Sequence, residues 1–257
     1  MQGDRHYDYD AFGNLIRERR GTAQKLVTDY RYDCQHRLIG VTTPDGRTAS
    51  YRYDAFGRRI AKTVDGHTTE FFWQGDNLVA ESSREHYRSY VYEPGSFRPL
   101  AMLDGKGPRQ ACPFYYQLDH LGTPQELTDY SGDIIWAAQY TAYGRLTRLN
   151  RDTHQVLDQP LRFQGQYFDA ETGLHYNRHR YYNPDLGRYL TPDPSGLAGG
   201  VNGYQYTRNP TGWVDPLGLS ECPGGDGCKR PGFGDEDPAG TAGVNEGEPG
   251  TPRPKQE

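Results

Sequence analysis

Large rings and polar side chains alternate with a period of two along the first hundred residues. In Ser50-Tyr51-Arg52-Tyr53 the tyrosines fall on one face and Ser50 and Arg52 on the other, the spacing of a strand with one face covered. An Asp-x-x-Gly turn follows, whose glycine tolerates positive φ, and then a return strand over 58–64. The unit recurs. Tyr9-Asp10-Ala11-Phe12-Gly13-Asn14-Leu15-Ile16 is repeated as Tyr32-Asp33-Cys34-Gln35-His36-Arg37-Leu38-Ile39 and Tyr53-Asp54-Ala55-Phe56-Gly57-Arg58-Arg59-Ile60, at spacings of 23 and 21 residues. The period is one hairpin long. Weaker copies follow at 72–79 and 90–95. No stretch of 1–219 keeps an apolar 3.6-residue period for three turns, so the pattern predicts an all-β chain of tandem antiparallel hairpins with helices short and few.

Composition sharpens this picture. Tyrosine, with 21 residues, outnumbers the nine phenylalanines and three tryptophans together. Tyrosine favours strands and stacks across a sheet while its hydroxyl finds a polar partner. The same rings could stack on sugars, a carbohydrate-binding surface; the repetition favours architecture. Mean hydropathy is −0.94, and the longest run of apolar residues is the five at 134–138. A spanning helix needs about 20, so no membrane span is expected. Met1-Gln2-Gly3-Asp4-Arg5-His6 runs into Tyr7-Asp8-Tyr9-Asp10 without an apolar h-region, so entry to the Sec pathway by this N-terminus is not expected either.

The net charge of −5 disfavours nucleic acid as a partner. Much of it lies in 220–257, where eight acidic residues face four basic ones among nine glycines and six prolines, with one Phe, one Val and no Leu, Ile, Met, Tyr or Trp. Such a segment cannot bury enough apolar surface to offset its ordering entropy. The expected organisation is therefore repeats over 1–110, a second folded region over 111–219 and a disordered acidic tail over 220–257. Four cysteines in a chain this long do not indicate a disulfide framework. Cys222 and Cys228 allow a transient disulfide or an adventitious metal on the tail.

Two Asp-Pro-x-Gly-Leu motifs, Asp193-Pro194-Ser195-Gly196-Leu197 and Asp215-Pro216-Leu217-Gly218-Leu219, lie 22 residues apart. Asp-Pro and Gly at these offsets are ordinary turn makers. Two carboxyls held close can also share a proton, one serving as base on water and the other donating to the carbonyl oxygen, as in aspartic proteases. His175 and His179 have i,i+4 spacing but sit in an alternating, strand-like run without a Glu, which argues against a metal. Asp119-His120 reads as part of a Gly-Thr-Pro turn with a hydrogen-bonded histidine. No cofactor or metal is expected.

The Tyr-Asp hairpins resemble the YD repeats of Rhs proteins, the C component of Tc toxins and the teneurins. Downstream, Tyr116-Gln117-Leu118-Asp119-His120-Leu121-Gly122-Thr123-Pro124, Phe163-Gln164-Gly165-Gln166-Tyr167-Phe168-Asp169 and Gly173-Leu174-His175-Tyr176-Asn177-Arg178-His179-Arg180-Tyr181-Tyr182 resemble the Rhs-associated core. Gly187-Arg188-Tyr189-Leu190-Thr191-Pro192-Asp193-Pro194-Ser195-Gly196-Leu197 and Asn209-Pro210-Thr211-Gly212-Trp213-Val214-Asp215-Pro216-Leu217-Gly218-Leu219 complete it. The resemblance covers about 7–219. It implies a spiral β-shell around a C-terminal toxin, with an inward-turning core at the shell's end. That core would be an aspartyl autoprotease with Asp193 and Asp215 as catalytic pair, cutting between Leu219 and Ser220.

Arg180 stands where the family places an arginine in the protease site; an inter-strand or surface ion pair is the alternative. The partners implied are the remainder of an Rhs shell, its toxin and a secretion-system or toxin-complex component. A protein made in the bacterial cytoplasm and exported by a non-Sec route, by type VI secretion in bacterial competition or within a Tc-type complex, would fit. With a handful of repeats and a core-less tail, the chain reads as the C-terminal part of such a shell, an orphan or truncated copy without its own toxin. A non-enzymatic YD-repeat module, structural or carbohydrate-binding, is the other reading.

Overall fold

A computed structural model describes residues 5–151 and 157–224. Fourteen strands, from β1 (His6–Tyr9) to β14 (Leu146–Arg151), form one antiparallel meander in which every strand pairs with its neighbours in sequence. Among the described residues helix is confined to two 3-10 turns, Thr22–Gln24 and Gly196–Gly199. The all-β expectation holds.

The repeat has a physical basis in its two lettered residues. Each Asp is the staple of its own turn: Asp54 Oδ1 accepts the backbone N–H groups of Phe56 and Arg58 at 2.9 Å, and Asp10 and Asp33 do the same two and four residues on. The position three residues after each Asp takes positive φ, at Gly13, His36 and Gly57. After the first unit the repeat Tyr turns inward, and its hydroxyl donates to a backbone carbonyl of the preceding repeat. Tyr32 reaches Leu15 O at 2.9 Å, Tyr53 reaches Leu38 O at 2.6 Å and Tyr92 reaches Leu78 O at 3.0 Å. In the weaker copy Trp73 Nε1 substitutes, donating to Arg59 O at 2.8 Å. Each bond contributes about 1 kcal/mol, and together they rivet hairpin to hairpin.

The same grammar continues past residue 110. Asp119 and Asp129 staple turns ending in Gly122 and Gly132, and the long sheet runs across the 110/111 division to Arg151. A second sheet follows, β15 (Tyr167–Asp169), β16 (Leu174–Asn177), β17 (Arg180–Asn183) and β18 (Arg188–Tyr189), all antiparallel.

This short sheet packs on the apolar face of the long one, and the two share a single core that includes Leu38, Tyr51, Phe71, Met102, Leu127, Leu174, Tyr176 and Tyr181. Buried polar contacts fix the seating. Arg59 Nη1 donates to Asp169 at 2.5 Å within a cage of five rings, from Tyr51, Phe71, Tyr167, Tyr176 and Tyr181. Tyr167 donates its hydroxyl to Glu81, and Arg178 binds Asp76 and Phe56 O.

The composition-based start of the tail falls a few residues early. β19 (Trp213–Val214) pairs with β20 (Cys222–Pro223), so the chain remains ordered in a two-stranded ribbon across Ser220. The backbone pairing and the packing of Cys222 near Leu121 and Val214 supply what side-chain composition lacks there. Cys222 is disulfide-bonded, while Cys34 and Cys112 are free and exposed. The rest of the tail reading, including Cys228, lies outside the described residues.

Candidate functional site

Both Asp-Pro-x-Gly-Leu motifs are turns, and each carboxylate serves its own turn with one oxygen only. Asp193 Oδ1 accepts Ser195 N at 2.8 Å and Ser195 Oγ at 2.5 Å. Asp215 Oδ1 accepts the backbone N–H of Leu219 at 3.0 Å and of Ser220 at 3.2 Å. The second oxygens point to one place: Arg180 Nη2 lies 2.8 Å from Asp193 Oδ2 and 3.4 Å from Asp215 Oδ2. The turn reading and the paired-carboxylate reading therefore describe the same geometry. Arg180 Nη2 is the group that touches both carboxyls.

Arg180 is buried, which removes the surface ion pair from consideration. β17 carries it into the middle of the site, where Nε donates to Gly218 O at 2.6 Å and Nη1 to Gly203 O at 2.9 Å. Its guanidinium lies 3.7 Å from the centre of the Tyr189 ring. One buried cation faces two buried carboxyls, so one of them is short of countercharge. Burial pushes the Asp215 carboxyl up to about 6, against the opposing pull of the Tyr189 hydroxyl, Arg180 and the two backbone N–H groups.

The segment between Asp215 and Ser220 is clamped by backbone fit. Gly218, at φ 70°, leaves room for only a hydrogen where a Cβ would lie 2.7 Å from Asn177 O. Opposite, a Cβ on Gly165 would overlap Pro216 O. Gly199 is packed so that a Cβ would collide with Asp193 Oδ2 and sit 2.9 Å from Leu219 O. The carboxylate of Asp193 and the carbonyl of Leu219 thus border the same small volume. Leu219 is half-buried and Ser220 exposed, whereas Leu197 of the first motif stands 84% exposed. A cavity of about 250 Å³ opens beside Arg180 and Pro194 and is lined also by Tyr53, Arg178 and His179.

Three contributors escaped the reading of the sequence. Tyr189 donates its hydroxyl to Asp215 Oδ2 at 2.8 Å, Asn177 Nδ2 donates to that hydroxyl at 2.7 Å, and Gly199 supplies the space beside the Leu219 carbonyl. Tyr189 and Asn177 lie in aromatic, alternating strands whose pattern signals only sheet.

The remaining candidates fall to structure. His175 is buried with Nδ1 2.7 Å from Gln166 Oε1, and burial holds it well below the usual imidazole range. It lies on a strand, not on a helix that would bring His179 alongside. His120 Nε2 meets Thr211 O at 2.8 Å beside the turn stapled by Asp119, as its turn motif suggests. Tyr32, Tyr53 and Tyr92 spend rings and hydroxyls on the core.

Comparison with known proteins agrees with the repeat pattern. The family model described as RHS Repeat matches residues 9–48 and 32–70, and the one described as RHS protein matches 114–150. Double-stranded DNA deaminase toxin A of Burkholderia cenocepacia is 43% identical over 247 residues, covering 86% of this chain and 17% of its own. Toxin protein Tse5 of Pseudomonas aeruginosa is 39% identical over 250 residues, covering 83% of this chain and 18% of its own. The chain therefore spans about a sixth of the length of the curated relatives it matches. In fold it is similar to a solved TcdB2-TccC3-Cdc42 structure, at TM-score 0.60 and 21% identity over 84% of this chain and 13% of that one. With its stapled Tyr-Asp hairpins, these matches and that fold, the chain belongs to the Rhs family of YD-repeat proteins.

Proposed function

We propose that this chain forms the closing end of an Rhs-type toxin shell and cuts itself once, between Leu219 and Ser220, so that the segment C-terminal to Leu219 is released. The observation that carries this reading is the site's division of labour. Arg180 Nη2 draws the Oδ2 atoms of Asp193 and Asp215 together, while Asp215 Oδ1 holds the two amides that flank and form the bond to be cut.

Asp193, which takes the shorter ion pair and borders the Leu219 carbonyl, is the base. It accepts a proton from water as the water oxygen bonds to the Leu219 carbonyl carbon. Asp215, whose carboxyl is raised toward neutrality by burial, is the acid: it protonates the Ser220 nitrogen as the C–N bond breaks. Products are a Leu219 carboxylate and a Ser220 amine. Arg180 orients both carboxyls and offsets the charge that Asp215 acquires as it gives up its proton.

Membership of a toxin shell rests on relatives named as toxins and on the likeness in fold to the TcdB2-TccC3-Cdc42 structure. The remainder of the shell, an enclosed effector, synthesis in the bacterial cytoplasm, and export by a non-Sec route such as type VI secretion or in a Tc-like complex belong to the same proposal. N-terminal sequencing of the C-terminal fragment tests it: the fragment begins at Ser220, and a fragment beginning elsewhere rejects this site.

A further inference from the structure

The turn between β16 and β17 is two residues long, Arg178 and His179, and Asn177 pairs with Arg180 across it. Three of these four residues grip the segment that leads to the Leu219–Ser220 bond. Asn177 Nδ2 donates to Asp215 O at 2.8 Å, the His179 backbone N–H to Leu217 O at 3.1 Å and Arg180 Nε to Gly218 O at 2.6 Å. Arg178 reaches the other way. Its Nε donates to Asp76 Oδ1 at 2.8 Å and its Nη2 to Phe56 O at 2.9 Å. Asp76 lies in the turn between β7 (His67–Gln74) and β8 (Asn77–Ser82), and Phe56 in the turn stapled by Asp54. Arg58 Nη1 ties those two turns to each other at Gly75 O, 3.2 Å away. The Arg178 side chain is buried, and its backbone takes φ 54° at a position where a two-residue hairpin favours glycine. A larger residue stays in that region when the contacts around it hold it there.

We infer that Arg178 is a positioning residue for the cleavage, a strap that seats the 177–180 turn on two repeat turns and so holds it against residues 215–218. The inference deepens the cleavage reading and rests on it for its catalytic consequence. Residues 215–218 lie between two jaws. One is Gly165, packed so closely on Pro216 O that a Cβ there would overlap it. The other is the 177–180 turn, which carries Arg180 to the two carboxyls. Arg178 closes that second jaw from behind, through partners that belong to the long sheet. Its own contacts are Asp76 and Phe56 O, so it acts on where the Leu219 carbonyl and the Arg180 guanidinium sit. Without the strap the turn lifts from Leu217 O and Gly218 O, and the bond to be cut loses its place beside Asp193. A displacement of about 1 Å at reacting atoms is enough to slow a reaction about a hundredfold. The repeats thereby take part in the cleavage through one side chain.

Two quantities test it. The first is hydrogen exchange of the His179 amide, the donor to Leu217 O, in an Asp193→Asn background that keeps the chain whole. The second is the rate of cleavage in chains with Asp193 intact, with folding followed separately by tryptophan fluorescence. Arg178→Ala and Arg178→Gly both remove the strap, and each is expected to speed that exchange and slow cleavage by at least about tenfold. The pair separates positioning from stability. Glycine suits the positive φ, so Arg178→Gly melts higher than Arg178→Ala, yet it cleaves as slowly. Asp76→Asn leaves the bond to Phe56 O in place and moves both quantities the same way by less. If Arg178→Gly exchanges or cleaves like the parent while the parent chain is cut, the strap is dispensable; the inference is overturned and the cleavage reading stands. If the parent chain is never cut but Arg178→Gly still loosens the His179 amide, the cleavage reading fails and the strap is upheld as the contact that seats the turn.

Discussion

Arg59, on the long sheet, and Asp169, on the short one, form a fully buried ion pair at 2.5 Å, joined by Lys62 at 3.0 Å. Arg59 Nε and Nη2 have no hydrogen-bond acceptor and face the surrounding rings instead. Asp169 is the carboxylate in direct contact with the guanidinium, so Asp169→Ala leaves a buried charge without its ion pair. The expected cost in denaturant unfolding is about 3–5 kcal/mol. Arg59→Met with Asp169→Leu removes both charges, and most of that loss is recovered. A loss below about 1 kcal/mol in the single variant would show that the short sheet is seated by other contacts.

Gly199→Ala probes the space between the Asp193 carboxylate and the Leu219 carbonyl. The added methyl collides with one and crowds the other, in an exposed loop where the fold has little at stake. Cleavage is expected to fall at least about a hundredfold, the scale found when an aligned catalytic contact is lost, with thermal stability close to that of the parent. Normal cleavage in this variant would mean that the Leu219 carbonyl reacts elsewhere.

Arg180→Met is expected to lose on both counts. The sequence left this residue between a surface ion pair, which would cost little, and a site residue. Buried, it serves two carboxylates and two carbonyls, so both cleavage and stability fall, the latter by about 3–5 kcal/mol. Loss of stability with near-normal cleavage would reduce it to a structural clamp.

The pH dependence stems from Asp215, whose carboxyl is pushed up to about 6 by burial. As the proposed acid it acts when protonated, so the cleavage rate should rise as pH falls from 8 toward 6 and level off below. The folded chain holds this proton more tightly than the unfolded one. Its contribution to stability is therefore complete below about pH 4 and declines as pH rises to about 6, by at most about 3 kcal/mol. Rates flat between pH 5 and 8 would take the acid role away from Asp215.

The sequence makes legible whatever repeats or spells out a local rule. Asp54 caps the turn beside it, Tyr51 and Tyr53 alternate with Ser50 and Arg52, and both facts are visible within eight residues. The pairing of Asp193 with Asp215 was legible only through resemblance, since two copies of a turn motif say nothing about distance. Tyr189 and Asn177 could not be picked out, because in Tyr-rich strands a ring that touches Asp215 and a core ring have the same pattern. The ordering of Cys222 by a backbone ribbon was likewise hidden from a composition argument that counts side chains. The extent of the long sheet was hidden as well, because residues 111–151 differ in sequence from the repeats yet keep the same turn geometry.

The most direct measurement is the intact mass of the purified chain with its Asp193→Asn and Asp215→Asn counterparts, taken without denaturing steps and again after refolding. The account predicts two species in the parent, one ending at Leu219 and one beginning at Ser220, and a single chain of 29.1 kDa in each variant. A parent chain that stays whole at pH 6, or cleavage at Leu219 that persists in either variant, would contradict it.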